Sequence, residues 1–553
     1  MKKYRMFLLL LVMVLGVAGC ANDQEQKPVR QKPSEGYKKK YDPPVTITTV
    51  RDVGPNTAFK NGETIANNVA TRWAHDQLGI TIKTLWYVPD RNDAFETKLR
   101  LMLQSGQKMP DFVVVRDQLL AQDLIDSGIF RNAGDLFDRY ANETWKKAMA
   151  FDPNVWNAFI RNGKRMGIPV LNYAYNNDYV LWIRQDWMDK LKLKAPKTIQ
   201  DLENIMEKFK NSNPQGLKPK DVVPLSIGFK SSMNTWMGDP AWIFGAYGTL
   251  PEQWNKTASG KLEYGSVQPG MKEGLLKIKE WREKGLIPNE GALWDEIKTA
   301  DPAIRGTAGI IPGPYWMSGW PLKETKKNQP EAVWKPYPIP AGPNGKAGRH
   351  GTQVYTEVLL INKNMKHPEA LFTYQNDLFD HVADPDPNDP WAKGIFKGYD
   401  YDIVNGKTVY NEDIPGGYVN VNGYFLMGEG ARIPDVQINN LIRLSEGAEP
   451  KTAKELEIVN NFGAETASAA KLVLQQEQIS KKNLFTGPQT PTMKDKWDYL
   501  SDIENRTINE IIYGKKSPDS FDYFVQTWKQ SGGSQITDEV NNWYTGIQKS
   551  KKR

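Results

Sequence analysis

Cysteine is almost absent: Cys20 is the only one in 553 residues, so no internal disulfide framework can form. Histidine is nearly as scarce. The four present, His75, His350, His367 and His381, have no zinc-type spacing, and no His-Glu-x-x-His occurs. Also missing are a Gly-x-Ser-x-Gly elbow, a Walker A loop and a complete Gly-x-Gly-x-x-Gly. No metal, cofactor or catalytic residue is therefore predicted. After Cys20 no apolar run reaches the roughly 20 residues of a spanning helix, and no fixed-period repeat suggests a solenoid. A strong excess of one charge is lacking too. The net charge of +7 falls to +4 once Lys2, Lys3 and Arg5 are set aside. Much of the remainder lies in Lys38 to Lys40 and in the tail from Lys549 to Arg553. So weak and dispersed an excess argues against a nucleic-acid surface.

What is present begins at the amino terminus. Lys2, Lys3 and Arg5 precede an apolar stretch, Met6 to Val17, that is broken only by Gly16. The stretch ends in Val17-Ala18-Gly19-Cys20, which resembles a bacterial lipobox. Residues 1–19 are thus expected to be a lipoprotein signal peptide, and Cys20 to carry a diacylglyceryl group. Its two acyl chains would hold the protein stably on a membrane, on the extracellular face of a Gram-positive-like cell. An ordinary cleaved signal with a stray cysteine is the competing assignment. Residues 20–42 are polar and rich in Gln, Lys and Pro, as a flexible tether would be.

From Pro43 the chain is long enough for two or more domains. Val45 to Val50 reads as a strand, and Ile65 to Leu78 as a helix closed by Gly79. Thr81 to Val88 reads as a strand, Phe95 to Gln104 as a helix, and Pro110 to Val115 as a buried parallel strand. That alternation is the pattern of a doubly wound α/β lobe. A second lobe follows, with strands at 178–184, 223–228 and 308–311 and helices after Thr198 and over 270–284. Thr198 and Asp201 are spaced as a capping box. The Pro- and Gly-rich stretch 334–351 suits a crossing between lobes, and 354–361 with 368–379 repeats strand and helix. From about Lys451 the chain is mainly helical. The expected division is 43–170 with 346–430 in lobe 1, and 171–345 with 431–553 in lobe 2. His367, before Pro368 at a helix start, fits a capping or surface role.

Several motifs in this order resemble a known family. Ser105-Gly106-Gln107-Lys108-Met109-Pro110-Asp111 looks like a turn before a buried strand, and Arg184-Gln185-Asp186-Trp187 leads to Pro196-Lys197-Thr198. Ile511 to Gly514, Phe521 to Trp528, Gly532-Gly533 and Ile536 to Asn541 look like a carboxy-terminal signature. These are similar to extracellular solute-binding proteins of carbohydrate ABC importers, family 1 type, related to maltose- and alginate-binding proteins. The nearest likeness is to Gram-positive lipoproteins of aldouronate and complex-polysaccharide uptake. The resemblance implies an α/β, two-lobed, type II periplasmic-binding-protein-like fold, each lobe a sheet flanked by helices. It also implies a hinge that closes on an oligosaccharide, a monomer, ABC permease subunits as partners, and acidic sugars such as aldouronates among the candidate ligands. One departure concerns the calcium loop of the alginate-binding relatives. The matching stretch, Asn213 to Leu225, places Leu217 and Val222 where oxygen ligands belong, so calcium is expected to be lost. The run Asp384 to Asp389 lacks the Gly and Glu of an EF-hand, with Asp389 and Ile395 at those places, and reads as a solvated acidic loop.

With 18 Trp and 23 Tyr, aromatic faces for sugar stacking are plentiful. Ligands of two-lobed α/β proteins meet loops at the carboxyl ends of strands. That rule selects Arg116 and Asp117, the latter equally suited to cap a helix. Tyr173 and Tyr175 stand at the entry to the second lobe. Trp236 and Trp242 follow the strand ending at Leu225, and Trp316 and Trp320 follow the stretch 310–314. Trp316 leads, because Gly313 and Pro314 place it in a turn and the resemblance puts a stacking Trp there. For each Trp, core packing competes. A surface glycoside hydrolase, which needs only two facing carboxylates, and a polysaccharide-binding adhesin remain as alternatives. The anchor reading has a direct check. Cys20→Ser is expected to release the protein from the membrane fraction with its folded part intact; retention after a high-salt wash would refute it.

Overall fold

The computed structural model describes residues 38–550 apart from positions 55, 56, 213, 215, 231 and 429. Cys20, most of the tether and the loop residues Asn213 and Gln215 lie outside the described residues. Two bodies are built around separate cores. The first gathers side chains from residues 41–174 and 354–431, and the second from 179–339 and 493–540.

In the first lobe β1 (Val45–Val53) pairs in parallel with β2 (Ile80–Pro89). Between them runs α1 (Val69–Leu78), which starts four residues later than periodicity suggests because Asn68 caps it in a reciprocal box with Thr71. It stops at Gly79, whose φ of 65° suits glycine and where a Cβ would lie 2.0 Å from the Tyr41 carbonyl oxygen. After α2 (Ala94–Gln104) comes β3 (Phe112–Val115). This strand does not have a parallel partner as expected. It pairs antiparallel with Tyr355–Ile361, which pairs antiparallel in turn with Ile168–Leu171. The reason is topological: Tyr355–Ile361 returns to this lobe from the second one and crosses its sheet in the opposite direction. Asp111, at the end of the Ser105–Asp111 turn, joins β3 to β1, its Oδ2 accepting from the Thr48 amide at 2.8 Å and hydroxyl at 2.9 Å.

The second lobe has a four-stranded sheet with Tyr179–Arg184 inside it, flanked antiparallel by Ala308–Pro314 and Trp334–Tyr337. Val223–Leu225 extends it in parallel beside Ala308–Pro314. The period of two sorts the side chains. Tyr179, Leu181 and Ile183 enter one core, with the helices Ile199–Ser212 and Pro269–Glu283. Val180 and Trp182 enter another, beneath Val436–Ser445 and Ala464–Gln475. Arg184 is fully buried, yet its charge is met on the spot by a two-pronged pair with Asp186, at 2.8 and 2.7 Å, and by the Trp187 ring. The Thr198–Asp201 box forms as predicted, each side chain accepting from the other's amide at 3.1 and 2.9 Å.

Three segments pass between the lobes, near residues 172–178, 349–354 and 431–436. Asp178, 1% exposed, ties the first two. Its Oδ1 accepts from the Thr352 amide and hydroxyl at 2.9 and 2.7 Å, and its Oδ2 from Arg349 Nε at 3.2 Å and Ser480 Oγ at 2.5 Å. Next to it His350 shares a 2.6 Å hydrogen bond between Nδ1 and Gln253 Oε1, and burial pushes its pKa down to about 3. Removing one partner of a buried ion pair leaves the other charge unmet. Asp178→Ala is accordingly expected to cost about 3–5 kcal/mol in a urea melt, whereas a loss under 1 kcal/mol would show that Arg349 finds another acceptor.

Candidate functional site

A cavity of about 510 Å³ opens where the two lobes face each other, within the usual range for small-molecule sites. One wall is the irregular return segment of the first lobe, from His381 to Arg432. The other is the helix Ala453–Asn461 with Phe462 behind it, and Tyr173 closes the site from the first crossing. The return segment holds no long regular element here. Its loops are fixed instead by side chains that bind backbone, as in Asp400, whose two oxygens accept from the amides of Ile395 and Phe396 at 2.6 and 2.7 Å.

Two kinds of group line the space. Trp391, Tyr410, Tyr418 and Phe462 present aromatic surface, while Asn411, Asn420, Asn422, Asn460 and Asn461 present amides. Each amide both donates and accepts hydrogen bonds. Charges are few and matched. The Arg432 guanidinium lies 4.7 Å from the Tyr173 ring centre and donates to Asn172 Oδ1. Lys454 Nζ lies 5.6 Å from the same ring and donates to the Ala383 carbonyl across the lobes. Burial pushes the Asp400 carboxyl up to about 6 and raises Glu457 as well. Among the described residues no group of three His, Cys, Asp or Glu side chains could hold a metal ion.

Of the residues selected from sequence, Tyr173 lines this cavity. Trp236, Trp316 and Trp320 form a cluster of their own, Trp236 lying 5.6 Å from Trp316 and 6.3 Å from Trp320. Trp316 is half-buried and donates its Nε1 proton to the Asn176 carbonyl at 2.7 Å, while Trp320 is 40% exposed. Gly319, between Trp316 and Trp320, sits against the Asn461 carbonyl oxygen, which a Cβ there would approach to 3.1 Å, but none of the three tryptophans lines the cavity. Tyr175 adopts a left-handed conformation, φ 61°, and donates its hydroxyl to Glu477 at 2.6 Å on the crossing. Arg116 is exposed at the end of β3, paired with Glu357 at 3.0 Å and Asp90 at 3.4 Å, and does not line the cavity.

Two of the selected residues have other work. Asp117 caps the helix Gln118–Asp126, accepting from the Leu120 amide at 2.7 Å, and pairs with Arg100 at 2.9 Å. Trp242 corrects the expectation outright: it is 0% exposed in the second lobe's core, 6.1 Å from Trp281, where no ligand reaches its face. The walls built from 391–422 and 453–462 were not anticipated. The signal was there as the alternation of Val419 and Val421 with Tyr418, Asn420 and Asn422, which buries the valines in the first lobe's core and leaves the other three to line the cavity. His367 binds Glu369 at 3.3 Å at the start of Glu369–His381, and in the acidic loop Asp389 holds His381 at 2.6 Å and caps a short turn at Trp391.

Among the described residues no helix is long and apolar enough to cross a membrane. Residues 56–414 match the model of a protein family described as bacterial extracellular solute-binding protein. The chain is 23% identical over 97% of its length to the polygalacturonan/rhamnogalacturonan-binding protein YtcQ of Bacillus subtilis (strain 168), covering 98% of that protein. It is also 23% identical to Lipoprotein LipO of the same organism, over 84% of this chain and 86% of that one. The solved structure of the substrate-binding protein FusA of Streptococcus pneumoniae with kestose superposes with a TM-score of 0.59 at 18% identity, over 91% of this chain and 99% of that one. The fold is thus the two-lobed α/β arrangement of type II binding proteins. By the family match and the architecture together, this chain belongs to the bacterial extracellular solute-binding proteins.

Proposed function

We propose that the protein is an extracellular lipoprotein that captures an oligosaccharide in the interlobe cavity and delivers it to an ABC permease. The observation that carries this reading is the lining itself. A sugar ring has apolar C–H faces and a rim of hydroxyls, and the cavity pairs aromatic surface with amides that donate and accept. The names of the relatives point the same way: a polygalacturonan/rhamnogalacturonan-binding protein, a lipoprotein, and a fructooligosaccharide ABC transporter substrate-binding protein. In this reading Cys20 carries the lipid, residues 20–42 tether a monomer to the outer face of the cell membrane, and the lobes divide as 43–170 with 346–430 and 171–345 with 431–553. Ligand then draws the lobes together about the crossings, provided it binds the closed form better than the open one. A hydrolase is disfavoured because Asp400, one of the two carboxylates lining the cavity, has its oxygens committed to backbone amides.

A thermal-shift screen of the full chain against an oligosaccharide library tests the proposal, since a ligand that binds only the folded state raises the melting temperature. At least one oligosaccharide is expected to do so and to be recovered uncleaved. A flat response across the library, or a shortened product, would sink the reading.

Two aromatic residues provide a second check. Tyr418→Ala, which removes an aromatic face from the cavity wall, is expected to weaken binding of the ligand so found by about 1 kcal/mol, the scale of an aromatic pair. Trp242→Ala, a core truncation, is expected to cost about 3–5 kcal/mol of stability and to leave the affinity of the folded fraction unchanged. Calorimetric titration beside denaturant melts separates the two, and the reverse pattern would exchange their roles.

A further inference from the structure

The ionisable groups of the cavity fall into two groupings, and the cations among them are already engaged. Arg432 and Lys454 share the Tyr173 ring, with Arg432 bound to Asn172 and Lys454 to the Ala383 carbonyl. Lys454 is further offset by Asp384 and by Glu457 one helical turn along. His381, on the same wall, has Asp389 at 2.6 Å from Nδ1 and Asp377 at 4.0 Å from Nε2. The second grouping is acidic. Asp400 lies in the field of Glu457, and the Tyr418 hydroxyl feels both. The rest of the polar lining is uncharged, amides with the Tyr173 and Tyr410 side chains.

A carboxylate brought into this space would lose its hydration, meet cations already engaged, and face two resident carboxylates. An unpaired buried charge is strongly disfavoured. A hydroxyl meets no such penalty. It donates to Glu457 in a charge-assisted bond and exchanges bonds with the asparagines. Resting on the sugar-binding reading above, we infer that the site selects neutral, hydroxyl-rich oligosaccharides and rejects polyuronates. In this it departs from what the name of its 23% identical polygalacturonan/rhamnogalacturonan-binding relative says of that protein.

The test is calorimetric titration of the full chain at neutral pH with neutral trisaccharides of the gluco-, xylo-, manno-, galacto- and fructo-series, and with trigalacturonate. The best neutral trisaccharide is expected to bind at least tenfold tighter than trigalacturonate. Glu457→Gln, nearly isosteric and checked by its melting curve, is expected to narrow that ratio by raising trigalacturonate affinity several-fold. Trigalacturonate binding as tightly as every neutral sugar, with an affinity that falls with salt and is lost in Lys454→Met, would overturn the inference while leaving the sugar-binding reading in place. No binding by any of the probes, joined to a flat library screen, would remove both.

Discussion

The carboxylate of Asp178 accepts four hydrogen bonds, from Thr352 twice, from Arg349 and from Ser480, at the point where the chain first enters the second lobe. These donors come from two later passages of the chain, more than 170 and 300 residues away in sequence. Arg349, fully buried, also donates to the Val473 carbonyl at 3.0 Å, on the helix that covers the sheet of the second lobe. Arg349 and Ser480 are themselves paired as short parallel strands. A hydrophobic contact could not do this, because it would hold area together without fixing which segment lies beside which. Directional bonds to one buried charge set the register of the crossing segments. The cavity inherits that register: Tyr173 is five residues before Asp178, and the wall that faces it begins after the strand at 355–361.

Much of this architecture was legible because local rules and tertiary packing agree. The β-branched run at 45–50, the Gly79 stop and the Thr198–Asp201 box are each decided within a few residues. The family-like motifs acquire physical content from the fold. Asp111 joins two strand pairs, Arg184 with Asp186 and Trp187 forms a buried charge satisfied within one turn, and Gly533 lies where a Cβ would strike the Trp528 ring at 2.1 Å. The direction of β3 was not legible. Alternation and apolarity report which face of a strand is buried, not which way its neighbour runs. Only the return path from the second lobe decides that.

The site was harder to read for a related reason. Trp236 and Trp242 are six residues apart in one loop-rich stretch, and nothing in their immediate neighbours tells the exposed face from the buried one. Asp239 does: its carboxylate accepts from the Thr235 and Ala241 amides, at 2.9 and 2.5 Å, and from the Tyr179 hydroxyl at 3.1 Å. It pins the loop so that Trp236 turns towards Trp316 and Trp242 turns into the core. That depends on Tyr179, 60 residues upstream. The cavity walls at 391–422 have the opposite character. Their readable signals, the Asn405-Gly406 hairpin turn and the alternation of Val419 and Val421 with polar residues, fix local structure and not which side chains face the other lobe.

The contacts that span the lobes bear on what a ligand must do. Lys482 of the second lobe meets Asp152 of the first at 2.7 Å, with the ammonium group about one-third exposed. A pair so placed contributes about 1 kcal/mol or less. Lys454 with Ala383 and Tyr175 with Glu477 are single polar contacts of similar scale. By themselves such bonds add little to holding the lobes together. The Asp178 cluster lies on the crossings, so it holds the segments in register whichever way the lobes swing. In the proposed binding cycle, a preference for closure would come from a ligand that touches both walls at once, the asparagines of 411–422 on one side and those of 460–461 on the other. A molecule that reaches only one wall binds without drawing the lobes together. On the proposed function, capture would be selective for length, since only a ligand long enough to bridge the walls shifts the equilibrium.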